Sequence, residues 1–498
     1  MRLNAKQIVQ ATGGQFLAEP IDAAEVLTGV TLDSRDVSAG DLYVAIQGER
    51  VDGHAFVDAA LRAGARGALV SEPLDEKCLL LARELGAAVI QVPNTEHAVA
   101  DLAREWRSHL SANVVAVTGS VGKTTTKNLT RDVLASAFRT CATRGNQNNE
   151  LGGPLTLLAA EPTDEAVVME MGMDGPGQIR FLCRMARPAW GVVTNVGESH
   201  LEMLGSQENI ARAKAELLEE LPDGTGRAFL NGADAFTPFL AKTARLDVRN
   251  VAVCAYNAKP EAGQEGAPAQ QVWSEDVVLD AEGRPAFTLC FRGFRADADA
   301  APTLFDMEPD TERVPVKLAL SGAHNVANAL AAAAVGRAAG IGPQAIAKAL
   351  GSSVAEAGRQ EMLHGREGFL IINDAYNASP DSMRASLALL SSMEVAGVRW
   401  AVLGDMGELG AGEEAGHLSV GRSVAEGKVD QLICVGQLAR LIAEGARAAG
   451  MDEAAITCVG SIGGALERLE GTLGPDDVVL VKASNFMGLT RLAEGLAS

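Results

Sequence analysis

Residues 114–127 read V-V-A-V-T-G-S-V-G-K-T-T-T-K. The apolar run 114–117 has the length and β-branched content of a buried strand. It breaks at Gly119-Ser120-Val121-Gly122, and Lys123-Thr124-Thr125 opens a segment with helical periodicity. A strand, a glycine turn and a helix in that order aim backbone N–H groups and the positive helix end at an anion. In that design the lysine reaches the terminal phosphates of a nucleotide, and the hydroxyl after it, on Thr124, holds Mg²⁺. The turn is short by one glycine, because Val117 stands where G-x-x-x-x-G-K-[ST] has its first. The bland alternative is a glycine-rich turn with a surface lysine. The order of strand, two glycines, lysine and paired threonines favours a triphosphate site built from Gly119, Ser120, Val121, Gly122, Lys123, Thr124 and Thr125.

Beyond that loop the chain repeats a strand-then-helix rhythm. Residues 167–171 form a buried strand carrying Glu170; residues 190–196 form another, followed by G-E-S-H-L-E with His200. Residues 210–221 read as a helix containing Lys214, which on pattern is a solvated lysine. This alternation predicts a mostly parallel sheet with its site at the strands' C-terminal ends. A carboxylate ending an apolar strand is costly unless it is paired or bound to metal. One account makes Glu170 and His200 ligands, with Thr124, for divalent cations that bridge the phosphates. The other makes them a salt-bridged glutamate and a helix-capping histidine. Asn146, Asn148 and Asn149 form an amide-dense loop that either binds a polar substrate or makes turns.

The flanking regions supply two more units. Before the loop, residues 27–32 and 41–46 read as strands, 56–63 as a helix, 89–93 as a closing strand and 94–110 as a helix. Loops hold Ser34-Arg35, where an arginine beside a serine could grip phosphate, and residues 48–54. After the central block, residues 257–312 turn rich in proline, alanine and acid. They are expected to form β-hairpins, with short strands at 277–279 and 286–291, joined by long surface loops. An alanine-rich helix at 326–339 and a second after Pro343 follow. Strands at 369–373, 400–403, 431–435, 456–459 and 478–481, with helices between, predict a doubly wound Rossmann-like sheet. Its first helix starts at Ser379-Pro380 as cap and first-turn residues. It lacks G-x-G-x-x-G and is not read as a dinucleotide site.

Composition sets outer bounds. A chain of 498 residues has room for about three domains, each with its own core. With 64 acidic against 43 basic residues and a net charge of −21, no nucleic-acid surface is expected. Small anionic ligands remain possible, since their sites need only a few local cations and N–H groups. The first residues lack the apolar core of a signal peptide, and no apolar run is long enough to span a bilayer, so a cytoplasmic protein without membrane insertion is expected. Seven cysteines stand singly, several inside apolar runs and none in C-x-x-C; buried, reduced thiols are expected.

With these residues assembled, the chain resembles the Mur ligases of bacterial peptidoglycan synthesis over nearly its whole length. The likeness rests on the T-G-S-V-G-K-T-T-T-K loop, on G-N-Q-N-N-E-L-G-G-P-L-T-L (145–157), on E-M-G-M (170–173) and on N-V-G-E-S-H-L-E (195–202) followed by A-R-A-K-A-E. It rests further on G-A-H-N-V-A-N-A-L-A-A-A-A (322–334), N-D-A-Y-N-A-S-P-D-S-M (373–383) and L-G-D-M-G-E-L-G (403–410). The last two are similar to the branch that adds D-alanyl-D-alanine to a UDP-N-acetylmuramoyl-tripeptide. The sister ligase that adds the third amino acid looks similar at Ser34-Arg35 but carries a D-N-P-R motif absent here.

The resemblance implies an α/β fold of three domains: a small UDP-binding domain at 1–92, a central P-loop ATPase domain with a mostly parallel sheet at 93–355, and a C-terminal Rossmann-like domain at 356–498. It implies ATP-driven amide synthesis by a monomer with two Mg²⁺ ions, through an acyl phosphate. On this likeness Glu170 and His200 match magnesium ligands, and Lys214 a lysine that the family carbamylates to help place the second Mg²⁺. Arg359 matches an arginine brought to the γ-phosphate, and Asn325 and Asp374 match positions near adenine and ribose. Ser34 and Arg35 match the uridine-diphosphate end, while Tyr376 and Asn377 fall with Asn146, Asn148 and Asn149 on the substrate side. Lys123, Lys214, His200 and Arg359 would be the catalytic set. One motif departs: the family's K-G-S-R is Lys482-Ala483-Ser484-Asn485 here. Two rivals stand beside this reading: a ligase of the same superfamily that adds a different amino acid, and an ATP-driven switch.

Overall fold

The structure is a computed structural model that describes residues 1–48, 51–260, 267–294 and 311–497. Glu49 and Arg50 of the 48–54 loop, and most of the long loops expected within 257–312, lie outside the described residues. Three large sheets follow one another along the chain. The first has five strands in the order Gln15–Ala18, Ala88–Gln91, Gly67–Val70, Asp41–Val44, Gly29–Thr31, and only Gln15–Ala18 runs antiparallel.

The central sheet has nine strands built around Asn113–Thr118, the expected strand before the glycine turn. Residues 114–118 are buried, as a β-branched run flanked on both sides must be. From that strand the chain first builds one side, with Ala166–Glu170 adjacent and Thr140–Ala142 beyond it. It then crosses to the other side, where Trp190–Val193, Arg227–Asn231 and Ala252–Tyr256 pair in parallel. The reversal opens a crevice at the strands' C-terminal ends beside Asn113–Thr118. Arg227–Asn231 and Ala252–Tyr256 were not among the expected strands. Each is a five-residue run with only three fully buried positions, a weak periodic signal.

The hairpin region is a mixed edge to this sheet. Gln270–Leu279, Pro285–Arg292 and Thr311–Lys317 pair antiparallel with one another, and Gln270–Leu279 joins the parallel strands through Ala252–Tyr256. The strand expected at 277–279 is the exposed tail of a longer one, whose buried start (Gln271, Val272, Trp273) is masked by polar neighbours. Over one face lie two packed helices, Lys123–Ala135 and Asn325–Ala338. Their close approach needs small side chains: a Cβ on Gly336 would sit 2.3 Å from Val133 Cγ1. The run Ala331, Ala332, Ala333 and Ala334 is wholly buried beneath.

The C-terminal sheet has six strands in the order Glu361–His364, Leu370–Asn373, Val478–Lys482, Arg399–Gly404, Gln431–Val435, Ile456–Val459. Only Glu361–His364, which the sequence did not single out, is antiparallel. The helix Pro380–Ser392 starts as expected: Ser379 accepts from the Ser382 N–H in a capping box, with proline in the first turn. Every one of these features agrees with the expected fold class, α/β with mostly parallel sheets.

A buried cation ties the central sheet's helix to the chain leading into the C-terminal sheet. Lys127 is 1 % exposed; its Nζ donates to Thr143 O at 2.9 Å and lies 3.5 Å from Glu356 Oε2. Asn128 Nδ2 donates to the same oxygen at 2.7 Å. Removing one partner of such a pair strands the other charge in low dielectric. Glu356 is partly solvated, so Glu356→Ala is expected to cost about 2 kcal/mol, below the full buried-pair penalty. A lowered urea midpoint checks it, with the isosteric Glu356→Gln losing less because Asn128 keeps a partner.

Candidate functional site

One cleft of about 930 Å³ opens at the crevice and is lined by both the central and the C-terminal sheets' loops. Its floor is the glycine turn. Gly119 at φ +151° and Gly122 at φ +81° take conformations that side chains disfavour, and there is no room for one. A Cβ on Gly119 would sit 1.8 Å from Thr194 Oγ1, and one on Gly122 2.4 Å from Asn328 Oδ1. The turn is braced by the end of the neighbouring strand. Ser120 N donates to Asn195 O at 3.0 Å and Val121 N to Asn195 Oδ1 at 2.9 Å, while Thr194 Oγ1 donates to Val121 O at 2.7 Å. The amides of Ser120 and Val121 are therefore occupied. The first turn of Lys123–Ala135 has N–H groups with no intrahelical partner, and such groups can donate to an anion.

Lys123 is no surface lysine. Its ammonium curls back onto Gly119 O at 2.8 Å and Ser120 O at 3.2 Å. Burial pushes its pKa down, partly opposed by the Glu170 carboxylate. A cation held only by two carbonyls is poised to take stronger anionic partners.

Glu170, 1 % exposed, ends its strand on the cleft wall. Asn148 Nδ2 holds its Oε1 at 2.7 Å, and Oε2 is buried without a partner. His200 sits at φ +65° beginning the helix Leu201–Leu204 but does not cap it through its side chain. Its Nδ1 lies 3.0 Å from Glu408 Oε2 and 3.5 Å from Asp174 Oδ1, yet makes no hydrogen bond of proper geometry. An orphaned buried carboxylate oxygen, an imidazole nitrogen and the Thr124 hydroxyl thus share one cleft, and this donor set fits a divalent cation. Among the described residues, no group of three or more His, Cys, Asp or Glu is placed to hold a metal ion by itself.

The solvated reading of Lys214 fails. On the helix Gln207–Glu219 it is 1 % exposed and forms no ion pair among the described residues. Burial and the nearby Lys123 push its pKa well below the usual lysine value. The pattern misled because Lys214 follows Ala213 and precedes Ala215 and Glu216, all of them buried.

The C-terminal wall adds Arg359, whose guanidinium stacks 4.0 Å above the Tyr376 ring centroid. Asp374 is clamped: Lys482 Nζ lies 2.7 Å from its Oδ2 and Ser386 Oγ donates to the same oxygen at 2.5 Å. Lys482 also donates to Asn377 O at 2.9 Å, fixing the turn that carries Tyr376 and Asn377. Asn325 packs beside Asn328, which donates to its Oδ1 at 2.9 Å. His324, pushed below the usual histidine value by burial, lines the same cavity.

The cleft thus gathers Ser120, Val121, Gly122, Lys123, Thr124, Thr125, Asn146, Asn148, Asn149, Glu170, His200, Asn325, Arg359, Asp374, Tyr376 and Asn377. Two of the amides have structural work: Asn148 holds Glu170, and Asn149 Oδ1 accepts from Gly152 N at 2.8 Å. Ser34 and Arg35 do not join the cleft; Arg35 Nε donates to Asp33 Oδ1 at 2.9 Å on the loop after Gly29–Thr31. Sequence reading missed Asn195, His324 and Glu408, all cleft residues. Each lies inside a quoted motif, but nothing in a linear motif shows that Asn195 braces the turn or that Glu408 adopts φ +63°.

Three family models match the chain in succession. Family models described as Mur ligase family, catalytic domain, Mur ligase middle domain, and Mur ligase, glutamate ligase domain match residues 26–107, 117–336 and 358–485. The chain is 33% identical over 500 residues to a UDP-N-acetylmuramoyl-tripeptide--D-alanyl-D-alanine ligase of Bacillus subtilis, covering 100% of this chain and 98% of that one. It is 34% identical over 533 residues to the enzyme of that name in Mycobacterium tuberculosis, with the same coverage. Among solved structures it is similar to MurF from Acinetobacter baumannii, with TM-score 0.80, 28% identity and coverage of 100% and 99%. It is also similar to MurF ligase from Thermotoga maritima in complex with ADP, with TM-score 0.73, 27% identity and coverage of 95% and 97%.

Proposed function

The chain belongs to the Mur ligase family, and from that premise we propose how it works as an ATP-dependent ligase: it joins D-alanyl-D-alanine to UDP-N-acetylmuramoyl-tripeptide and so makes a peptidoglycan precursor. The observation that carries this reading is the single cleft in which the glycine turn of one sheet faces Arg359, Tyr376 and Asn377 of the next. A switch needs the nucleotide half alone. A ligase needs a nucleotide and a second reactant under one roof.

A carboxylate is a poor electrophile, so the tripeptide's terminal carboxylate takes the γ-phosphoryl group and becomes an acyl phosphate. The amine of D-alanyl-D-alanine attacks the carbonyl, and phosphate leaves. Phosphoryl transfer is mostly positioning and charge neutralisation. Lys123 and the first-turn amides hold the phosphates, and Arg359 approaches from the C-terminal side. Thr124, Glu170 and His200 would hold Mg²⁺, which supplies further neutralisation. Lys214, carbamylated, would face the second Mg²⁺. Asp374 and Asn325 bind the nucleoside, with Asp374 oriented by Lys482 and Ser386. The domains meet near residues 92–93 and 355–356, and Ser34 and Arg35 hold the uridine-diphosphate end far from the reacting centre. We place the reaction, run by a monomer, in the bacterial cytoplasm where ATP is supplied, and its product in wall growth, cell shape and division. Among the described residues no helix is long and apolar enough to cross a membrane.

The full chain incubated with Mg²⁺, ATP, the UDP-linked tripeptide and D-alanyl-D-alanine is expected to yield ADP, phosphate and a nucleotide-linked pentapeptide in equal amounts. Omitting either peptide should stop phosphate release. Steady ATP hydrolysis without an acceptor would favour the switch, and equal turnover with a single amino acid would favour another ligase of the superfamily.

A further inference from the structure

The outer edge of the C-terminal sheet places two cysteines side by side. Cys434 of Gln431–Val435 and Cys458 of Ile456–Val459 are register partners on parallel strands. In-register residues project to the same face, and neighbouring strands lie roughly 4.8 Å apart. That spacing falls inside the Cα separation a disulfide spans, about 4.4–6.8 Å.

The two thiols differ in exposure and in company. Cys434 is buried in the core with Leu432, Ile442 and Ala443, whereas Cys458 is exposed. Each is the other's nearest neighbour across the two paired strands. Arg447, on the helix Ala439–Ala448, is held by Glu453 through Nη2–Oε1 at 3.0 Å, and its positive charge acts on Cys458. The neighbouring Cys434 thiol and the charges of Arg447 and Arg440 favour the Cys458 thiolate and bring its pKa down to about 6. Cys434, beside Cys458 and buried, is pushed up and keeps its proton. Of the other five cysteines four are buried and Cys141 is half-buried. Neither Cys434 nor Cys458 lines the cleft, and the ligase chemistry leaves both unused.

We propose that Cys434 and Cys458 form a redox-modification site that reacts with hydroperoxides, Cys458 attacking and Cys434 resolving. The Cys458 sulfur attacks the distal peroxide oxygen; the S–O bond forms, the O–O bond breaks, and the alcohol (or water) leaves with a proton. The resulting sulfenic acid is attacked by the Cys434 sulfur. The S–S bond forms, the S–O bond breaks, and the Cys434 proton departs with the hydroxyl as water. Overall two thiols lose two electrons and the peroxide gains them. Solvent reaches Cys458 first, and the partner that must condense with it lies beside it on the next strand.

The test uses the full chain, alkylated by limiting iodoacetamide from about pH 5 to about pH 9, with each cysteine peptide quantified. Cys458 is expected to reach half its maximal rate near pH 6. Cys434→Ala should move that midpoint upward by removing the neighbouring thiol that lowers it. Hydrogen peroxide followed by non-reducing digestion should yield a linked peptide containing both residues, whereas Cys434→Ala should accumulate a sulfenic acid that dimedone traps on Cys458. Should Cys434→Ala unfold by circular dichroism, Arg447→Gln serves instead and is expected to raise the midpoint and slow the oxidation. A Cys458 midpoint near about 8.5, the value of a free thiol, overturns the proposal. So does the absence of a linked peptide from peroxide-treated wild type.

Discussion

Lys123→Ala is expected to lower kcat/KM for ligation by roughly 10³-fold or more, the scale seen when a charge stabilising phosphoryl transfer is removed. The ammonium touches only the carbonyls of Gly119 and Ser120, and burial already works against its charge. Its removal should leave thermal stability close to wild type and weaken ADP binding, because Thr194 and Asn195 still brace the turn when the lysine's two bonds to it are lost. Titration of ADP, a melting curve and single-turnover ligation measured on the same preparation check all three. A variant that folds, binds ADP as wild type and ligates normally would show that the nucleotide lies elsewhere.

The sequence made the sheet carrying this lysine legible because its centre is the easiest kind of element to read. A short β-branched run ends in a glycine turn, and the helix after it starts at Lys123 as expected. The C-terminal sheet was legible for the same reason: all five expected strands appear, with Gln431–Val435 and Ile456–Val459 at the expected bounds. The strands that escaped are those whose burial comes from neighbours far along the chain. Arg227–Asn231 and Ala252–Tyr256 are interior only because the sheet grows past them toward the antiparallel edge. Periodicity within a segment cannot report a neighbour it has not yet met.

The site divides in the same way. Its turn was readable from residue order, since backbone geometry there is set locally by Gly119 and Gly122. Its walls were not, because the salient fact about Glu170 is an absence: an oxygen that nothing satisfies. The spacing that suggested metal ligands fitted a salt bridge equally well; in the fold Asn148 holds one carboxylate oxygen, and Glu170 makes no ion pair among the described residues. Resemblance supplied what local reading could not for Arg359 and Asp374, which reach the cleft from another sheet. It supplied nothing for the neighbouring Lys127, whose partner Glu356 is 229 residues away in the junction.

Lys214 poses the sharper test, because its environment is wrong for an ordinary lysine. An ammonium there would be buried beside a second cation, Lys123, with no carboxylate in ion-pair range among the described residues. Deprotonation relieves that repulsion and leaves a nucleophilic amine. Addition of CO₂ to the amine goes further: a proton is lost and the side chain ends in a carboxylate, an anion facing Lys123 and able to serve Mg²⁺. If the carbamate forms, Lys214→Ala should cut ligation by roughly 10²–10³-fold, the range for loss of one electrostatic contributor, with the fold retained. A small carboxylic acid added to that variant should restore part of the rate by filling the space with the missing anion, whereas an alkylamine should not. Wild-type protein equilibrated with ¹³C-bicarbonate should carry the label on the Lys214 Nζ and lose both label and activity when dialysed free of CO₂ at low pH, where the amine is protonated. Rescue by the amine, or an unlabelled Lys214 in fully active enzyme, would mean that the neutral amine itself is the working form.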